Sequence, residues 1–148
     1  MRYLEDLAVG EVMLFGPLTV DRDEVIAFAR QYDFQPFHLS EEAAAQTHFG
    51  RLAASGWHTC AMTMRMQLQA RDTEESAALG SPGVDNLRWL KPVYPGDTLS
   101  GENRITEIRP SRSKPEIGSI RSHVTTRNQH GEDVMTYEAI LLMRRRPA

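Results

Sequence analysis

Gly56-Trp57-His58-Thr59-Cys60-Ala61-Met62-Thr63-Met64-Arg65-Met66-Gln67-Leu68-Gln69-Ala70 contains no proline and no glycine after its first residue. Its apolar residues, Trp57, Ala61, Met62, Met64, Met66 and Leu68, fall nearly all round a helical projection, which reads as a long, largely buried helix. Downstream the pattern changes. A polar, Gly/Pro-punctuated stretch from Asp72 to Gly83 gives way to strand-like runs at Val84 to Tyr94, Thr98 to Ile108, Ile117 to Asn128 and Val134 to Met143. Turn residues separate them at Pro95-Gly96-Asp97, Pro110 to Pro115 and Gln129-His130-Gly131. Successive strands with short connections predict an antiparallel meander. A buried helix needs a cover and a strand alternates faces, so the expected class is α+β, an antiparallel β-sheet wrapped around a long central α-helix.

Upstream, Val12 to Val20 is apolar but interrupted by Gly16 and Pro17, which suits an edge strand at the rim of the sheet. Asp21 and Glu24 form a capping-box pattern, and Val25, Ile26, Phe28, Ala29 and Tyr32 recur at helical spacing, so a first helix is expected from about Arg22 to Gln31. Gln35 precedes Pro36 and is therefore extended. Ser40, followed by Glu41 and Glu42, caps a short helix through Ala43, Ala44 and Ala45.

A length of 148 residues corresponds to one domain, 1–148, with no repeat or linker to divide it. At 41% hydrophobic and 25% charged residues the composition is that of an ordered globular protein. The net charge of −3 argues against a nucleic-acid partner. No apolar run has the length of a signal peptide or a membrane span, so a cytoplasmic location is expected. Cys60 is the single cysteine, which excludes an internal disulfide and a multi-thiolate zinc site and leaves it the role of a small core hydrophobe.

The stretch most informative about chemistry is Asp33-Phe34-Gln35-Pro36-Phe37-His38. An extended loop stiffened by Pro36 can aim a carboxylate and an imidazole into one cleft, as proton transfer requires. The plain alternative is a loop carboxylate and a surface histidine. Gly56, preceded by Ser55 and opening the long helix, can offer a backbone N–H at the positive end of the helix dipole. Such a donor stabilises an enolate-like oxygen. A glycine that merely permits tight helix entry is the competing reading.

These residues resemble the MaoC-like dehydratases, which include R-specific enoyl-CoA hydratases. That family's signature is an Asp, an Asn-Pro, a hydrophobic residue and a His, then an Ala-rich short helix and a glycine at the start of the central helix. Asp33, Gln35-Pro36, Phe37, His38, Ala43 to Ala45 and Gly56 match it in order, and Trp89 to Leu99 looks like the family's common strand-turn-strand segment. The resemblance implies a hot-dog fold, hydration or dehydration of an acyl-CoA thioester, Asp33 and His38 as the catalytic pair, and Gly56 as oxyanion donor. Gln35, Pro36, Phe37, Ser55 and Trp57 are then expected to line the substrate. Two positions depart from the pattern: Gln35 stands where the motif has Asn, and Ser55 replaces a histidine that often precedes the glycine. A serine that some hydratases place against the catalytic aspartate falls near Met64.

Other groups suit narrower roles. Arg112 and Lys114, in the Arg109 to Pro115 loop beside two serines, are candidates for the phosphates of CoA, with a solvated loop as alternative. His38, His48 and His58 lie on different elements and lack metal-ligand spacing, and Ser55 with His58 lacks a nucleophile elbow. His58 is expected to pack or hydrogen-bond near the site mouth. Met62, Met64 and Met66 fill core or line an acyl tunnel. No cofactor or metal is expected. An open sheet edge predicts a homodimer or an assembly of dimers. A hot-dog thioesterase and a non-catalytic acyl-CoA binder remain as rival functions.

Overall fold

The structure is a computed structural model that describes residues 1–71 and 76–148. A 3-10 turn at Leu4–Asp6 leads into β1 (Val12–Thr19), followed by α1 (Arg22–Tyr32), a second 3-10 turn (Pro36–His38), α2 (Glu41–Ala45) and α3 (Gly56–Ala70). The remaining strands are β2 (Ala78–Trp89), β3 (Thr98–Pro110), β4 (Ile117–Arg127) and β5 (Asp133–Arg144). Both caps expected from the sequence form. The Asp21 carboxylate accepts from the Glu24 N–H at 3.0 Å, and the Ser40 hydroxyl from the Ala43 N–H at 3.3 Å.

The strands make one five-stranded antiparallel sheet in the order β1-β3-β4-β5-β2. Strand β1 is at the rim, as expected, and its register breaks between Phe15 and Leu18, where Gly16-Pro17 sits. The expected meander holds only for β3-β4-β5. Strand β2 crosses to the other edge and pairs with β5. It also begins at Ala78 and ends at Trp89, whereas the apolar pattern placed it from Val84 to Tyr94. The physical reason is its edge position: repeated register shifts and Gly80 at φ +100° accommodate the Gly/Pro-rich segment in an outer strand. Of the expected loop Asp72 to Gly83, residues 72–75 lie outside the described residues.

Helix α3 lies against one face of this sheet, which is the hot-dog arrangement. Its inner side is less apolar than the sequence suggested. Met62 and Met66 are buried beside Thr59, Thr63 and Gln67, and each of the last two is tied to a strand. The Thr63 and Thr126 hydroxyls are 2.8 Å apart, while Gln67 donates to the Tyr137 hydroxyl at 3.0 Å and accepts from Asn103 at 2.8 Å. These bonds satisfy groups that would otherwise cost stability when buried, and they fix the helix over β3, β4 and β5. The opposite side of α3, with Trp57, Ala61, Met64 and Leu68, is exposed, so the helix is not dry all round. The main core joins Val25, Leu52, Met62, Met66, Leu99 and Val134. A smaller cluster of Leu4, Ile105, Ile120 and Met143 closes the far end. Cys60 packs at the margin of the main core, 3.5 Å from the Met135 sulfur, and burial raises its thiol pKa. No described helix is long and apolar enough to cross a membrane.

Candidate active site

Helix α1 ends at Tyr32, and Asp33 leaves it with φ −149° and ψ 66°. Gln35 is extended at φ −70° and ψ 139°, as the following proline demands, and Pro36 opens the turn that carries His38. The turn brings the His38 Nε2 to 3.4 Å from the Asp33 Oδ2, with the imidazole almost fully buried and the carboxylate only 16% exposed.

Each member of the pair is held by its own partners. The His38 Nδ1 is 2.7 Å from the Ala53 carbonyl oxygen. A carbonyl only accepts, so Nδ1 carries a proton, and in the neutral ring Nε2 then turns a lone pair toward Asp33. The fully buried Ser55 hydroxyl donates to the Asp33 Oδ2 at 2.7 Å, and the Gln35 amide donates to Oδ1 at 2.7 Å. Burial by itself would raise the Asp33 pKa; the Gln35 and Ser55 hydrogen bonds, joined by the positive charge of the imidazole whenever both of its nitrogens are protonated, outweigh it and hold the carboxyl below its ordinary range. Asp33 is thus an anion at neutral pH.

Ser55 links the pair to α3. The next residue, Gly56, starts the helix, and its N–H has no acceptor among the described residues. That leaves a backbone donor at the positive helix end, adjacent in the chain to the serine that touches Asp33. The Gly56 carbonyl accepts from the Trp89 indole at 2.9 Å. A Cβ at Gly56 would lie 2.4 Å from the Trp89 ring, so the absence of a side chain here is what admits the indole.

The structure therefore gathers Asp33, His38, Ser55 and Gly56, with Gln35 holding the carboxylate. Pro36 is exposed and shapes the turn, whereas Phe37 packs on His38 at 4.7 Å between ring centres. Trp57 is 59% exposed and packs edge-on against Trp89. Arg112 and Lys114 are not brought to the pair. Trp89 pairs with Met135, and Met135 with Thr126, whereas the Arg112–Lys114 hairpin follows Pro110, which pairs with Gly118. Thr126 and Gly118 are separated by roughly 25 Å along β4 at the usual rise per residue.

Two features were missed from the sequence. The bond to Asp33 comes from Ser55 itself, while Met64, where a serine was sought, is 51% exposed on the outer side of α3. Trp89 was read as lying within a strand running on to Tyr94 and not as a wall of the site; β2 ends at Trp89 only in the fold, so no local signal marked it. His58 packs, as expected, but on α1, stacked on Phe28 at 4.7 Å with its Nδ1 unpartnered. Burial lowers its pKa.

Replacing Ser55 by Ala removes one of the two donors that depress the Asp33 pKa. If the anion is the active form, activity then fails at a higher pH on the acid side. A profile of kcat/KM against pH is expected to show its acidic limb displaced upward in Ser55→Ala, with the basic limb unmoved. An unshifted acidic limb would separate Ser55 from the ionisation of Asp33.

Residues 6–128 match the MaoC like domain family. The chain belongs to this family. Its sequence is similar to the mesaconyl-CoA hydratase of Cereibacter sphaeroides, with 35% identity over 146 residues, 98% of this chain and 42% of that protein. It is similar also to the (R)-specific enoyl-CoA hydratase of Aeromonas caviae, with 31% identity over 119 residues, 80% of this chain and 82% of that one. Among solved structures, a MaoC-like dehydratase from Rhodospirillum rubrum superposes with a TM-score of 0.91 at 40% identity and full coverage of both chains. The Rhodospirillum rubrum structure shares the sheet and helix described above.

Proposed function

We propose that this MaoC-like protein adds water to a trans-2-enoyl-CoA thioester to give a 3-hydroxyacyl-CoA, and catalyses the reverse dehydration at the same site. The observation that carries this reading is the pair of acceptors, Asp33 Oδ2 and His38 Nε2, 3.4 Å apart beside an open helix N-terminus. One water donating a hydrogen to each acceptor keeps an oxygen lone pair for attack. In the forward direction that oxygen bonds to the β-carbon as Asp33 takes a proton. The electron pair of the alkene moves toward the thioester carbonyl, whose developing oxyanion accepts from the Gly56 N–H. The proton then passes to the α-carbon with assistance from His38, and the carbonyl reforms. Water is thereby added with no net gain or loss of electrons. The names of the hydratase relatives agree with this class of reaction.

The test is a series of trans-2-enoyl-CoAs of differing length and branching, followed by loss of the absorbance of the conjugated thioester. Hydration of one or more members is expected. Release of free CoA without hydration would replace the proposal with a thioesterase, and binding without turnover with an acyl-CoA binder.

We also propose a homodimer built on the β2 edge and the outer side of α3. Trp57, Met64 and Leu68 on the helix and Leu79, Val84 and Trp89 on the strand are exposed, and the contact between Trp57 and Trp89 joins the two surfaces. A second copy would pair the open strand and cover the apolar side chains together. Light scattering is expected to give twice the chain mass of 16.7 kDa. A monomer mass at micromolar concentration would overturn this arrangement.

A further inference from the structure

A CoA thioester carries its phosphates well away from the reacting carbon, so a site for it needs cationic groups within reach of the catalytic pair. The β3–β4 hairpin borders a cleft of about 630 Å³ lined by Arg109, Ser111 and Arg112, but at the other end of the sheet. At the end that carries the pair, a cavity of about 170 Å³ lies between the chain at Arg51, the turn from Lys91 to Asp97 and the β4–β5 hairpin. The Arg51 guanidinium carbon is 3.8 Å from the centre of the Tyr94 ring. That ring is fixed at both ends: its hydroxyl donates to the Phe49 carbonyl at 2.7 Å, and the Tyr94 N–H donates to Asp97 at 2.9 Å. Stacking on an aromatic face leaves the N–H edge of a guanidinium available for bidentate contact with phosphate.

Arg51 makes no ion pair among the described residues, and Lys91 and His130 line the same cavity. Of the two acids there, Asp97 accepts from Tyr94 and Gln129, and Glu132 is paired with Lys91 and accepts from Asn128, so Lys91 reaches a phosphate by sharing its three ammonium donors between Glu132 and the ligand. Both cations also leave the chain two residues from the site: Arg51 from Ala53, which holds His38, and Lys91 from Trp89, which holds Gly56. Resting on the reading of the substrate as a CoA thioester, we propose that Arg51 on its Tyr94 platform, assisted by Lys91, seats the phosphate-bearing end of that substrate.

The test compares parent, Arg51→Ala, Lys91→Ala and the double variant Arg112→Ala/Lys114→Ala on one enoyl chain, presented both as its CoA ester and as its N-acetylcysteamine ester, which lacks phosphates. Phosphate contacts far from the reacting carbon hold ground and transition states alike. Arg51→Ala is therefore expected to raise KM for the CoA ester roughly tenfold, the size of one charge-assisted hydrogen bond, with kcat and the truncated ester unaffected. Lys91→Ala is expected to act in the same sense, and the hairpin variant to match the parent. An unchanged KM in Arg51→Ala, equal losses on both esters, or an effect confined to the hairpin variant would overturn the assignment. Calorimetric titration with CoA alone reads the same question apart from turnover. If the parent hydrates nothing but binds CoA through Arg51, the hydratase reading fails and this one stands; if CoA affinity is the same in Arg51→Ala, this one fails.

Discussion

Asp33→Asn is expected to lower the rate of enoyl-CoA hydration by roughly 10²–10⁴-fold, the usual loss on removing a general base, while the protein stays folded. The surroundings of Asp33 allow this to be a clean test. If the new NH₂ group takes the Oδ1 position, the exposed Gln35 amide can turn its oxygen toward it; if it takes the Oδ2 position, the Ser55 hydroxyl can rotate to accept from it. His38→Ala is expected to cost a similar factor in rate, but it also leaves the Ala53 carbonyl without its partner. A loss of about 1–3 kcal/mol in stability should accompany it. Thermal unfolding separates that structural part from the chemical one. Because both groups act on one water, the double variant should be little worse than either single one. Near-normal rates in both single variants, on a substrate the parent turns over, would remove the pair from the mechanism.

The second large effect is expected at Gly56. In Gly56→Ala the added Cβ meets the Trp89 indole at 2.4 Å, closer than atoms approach, so the ring or the start of α3 must shift. A shift breaks the indole bond to the Gly56 carbonyl and turns the helix N-terminus away from the thioester oxygen. Loss of one oxyanion donor commonly lowers the rate by roughly 10²–10³-fold, and that is the size expected here. Combining Gly56→Ala with Trp89→Ala frees the space and should return a large part of the activity. Equal activity in Gly56→Ala and parent would assign the glycine to packing alone.

Local features were legible in the sequence because their causes are local. Asp21 and Ser40 announced α1 and α2 through capping that acts within three residues, and Pro36 set the extension of Gln35. The resemblance to MaoC-like proteins drew on residues in fixed order and led to Asp33, His38 and Gly56. Long-range pairing was not legible. Nothing in the composition of β2 says that it crosses the sheet to meet β5, and this crossing fixes which end of the sheet each loop occupies. The basic hairpin therefore looked like a phosphate seat on charge alone, while Arg51, an isolated residue in the chain, gains its setting only when Tyr94 folds beneath it. The bond from Ser55 to Asp33 escaped for the same reason, since α1 and α3 meet only in three dimensions.

Every group placed on the reacting atoms, Asp33, His38 and Gly56, and the serine that steadies them, comes from one short stretch of chain between residues 33 and 56. Beyond apolar packing around Leu52 and Ala54, the sheet gives this stretch, among the described residues, a side-chain hydrogen bond from the Trp89 indole. The groups proposed for the chemistry are thus contiguous in the chain. Under the proposed mechanism, a chimera carrying residues 33–56 of a relative is expected to transplant the proton-transfer groups together, with Trp89 the strand residue that must be kept beside Gly56.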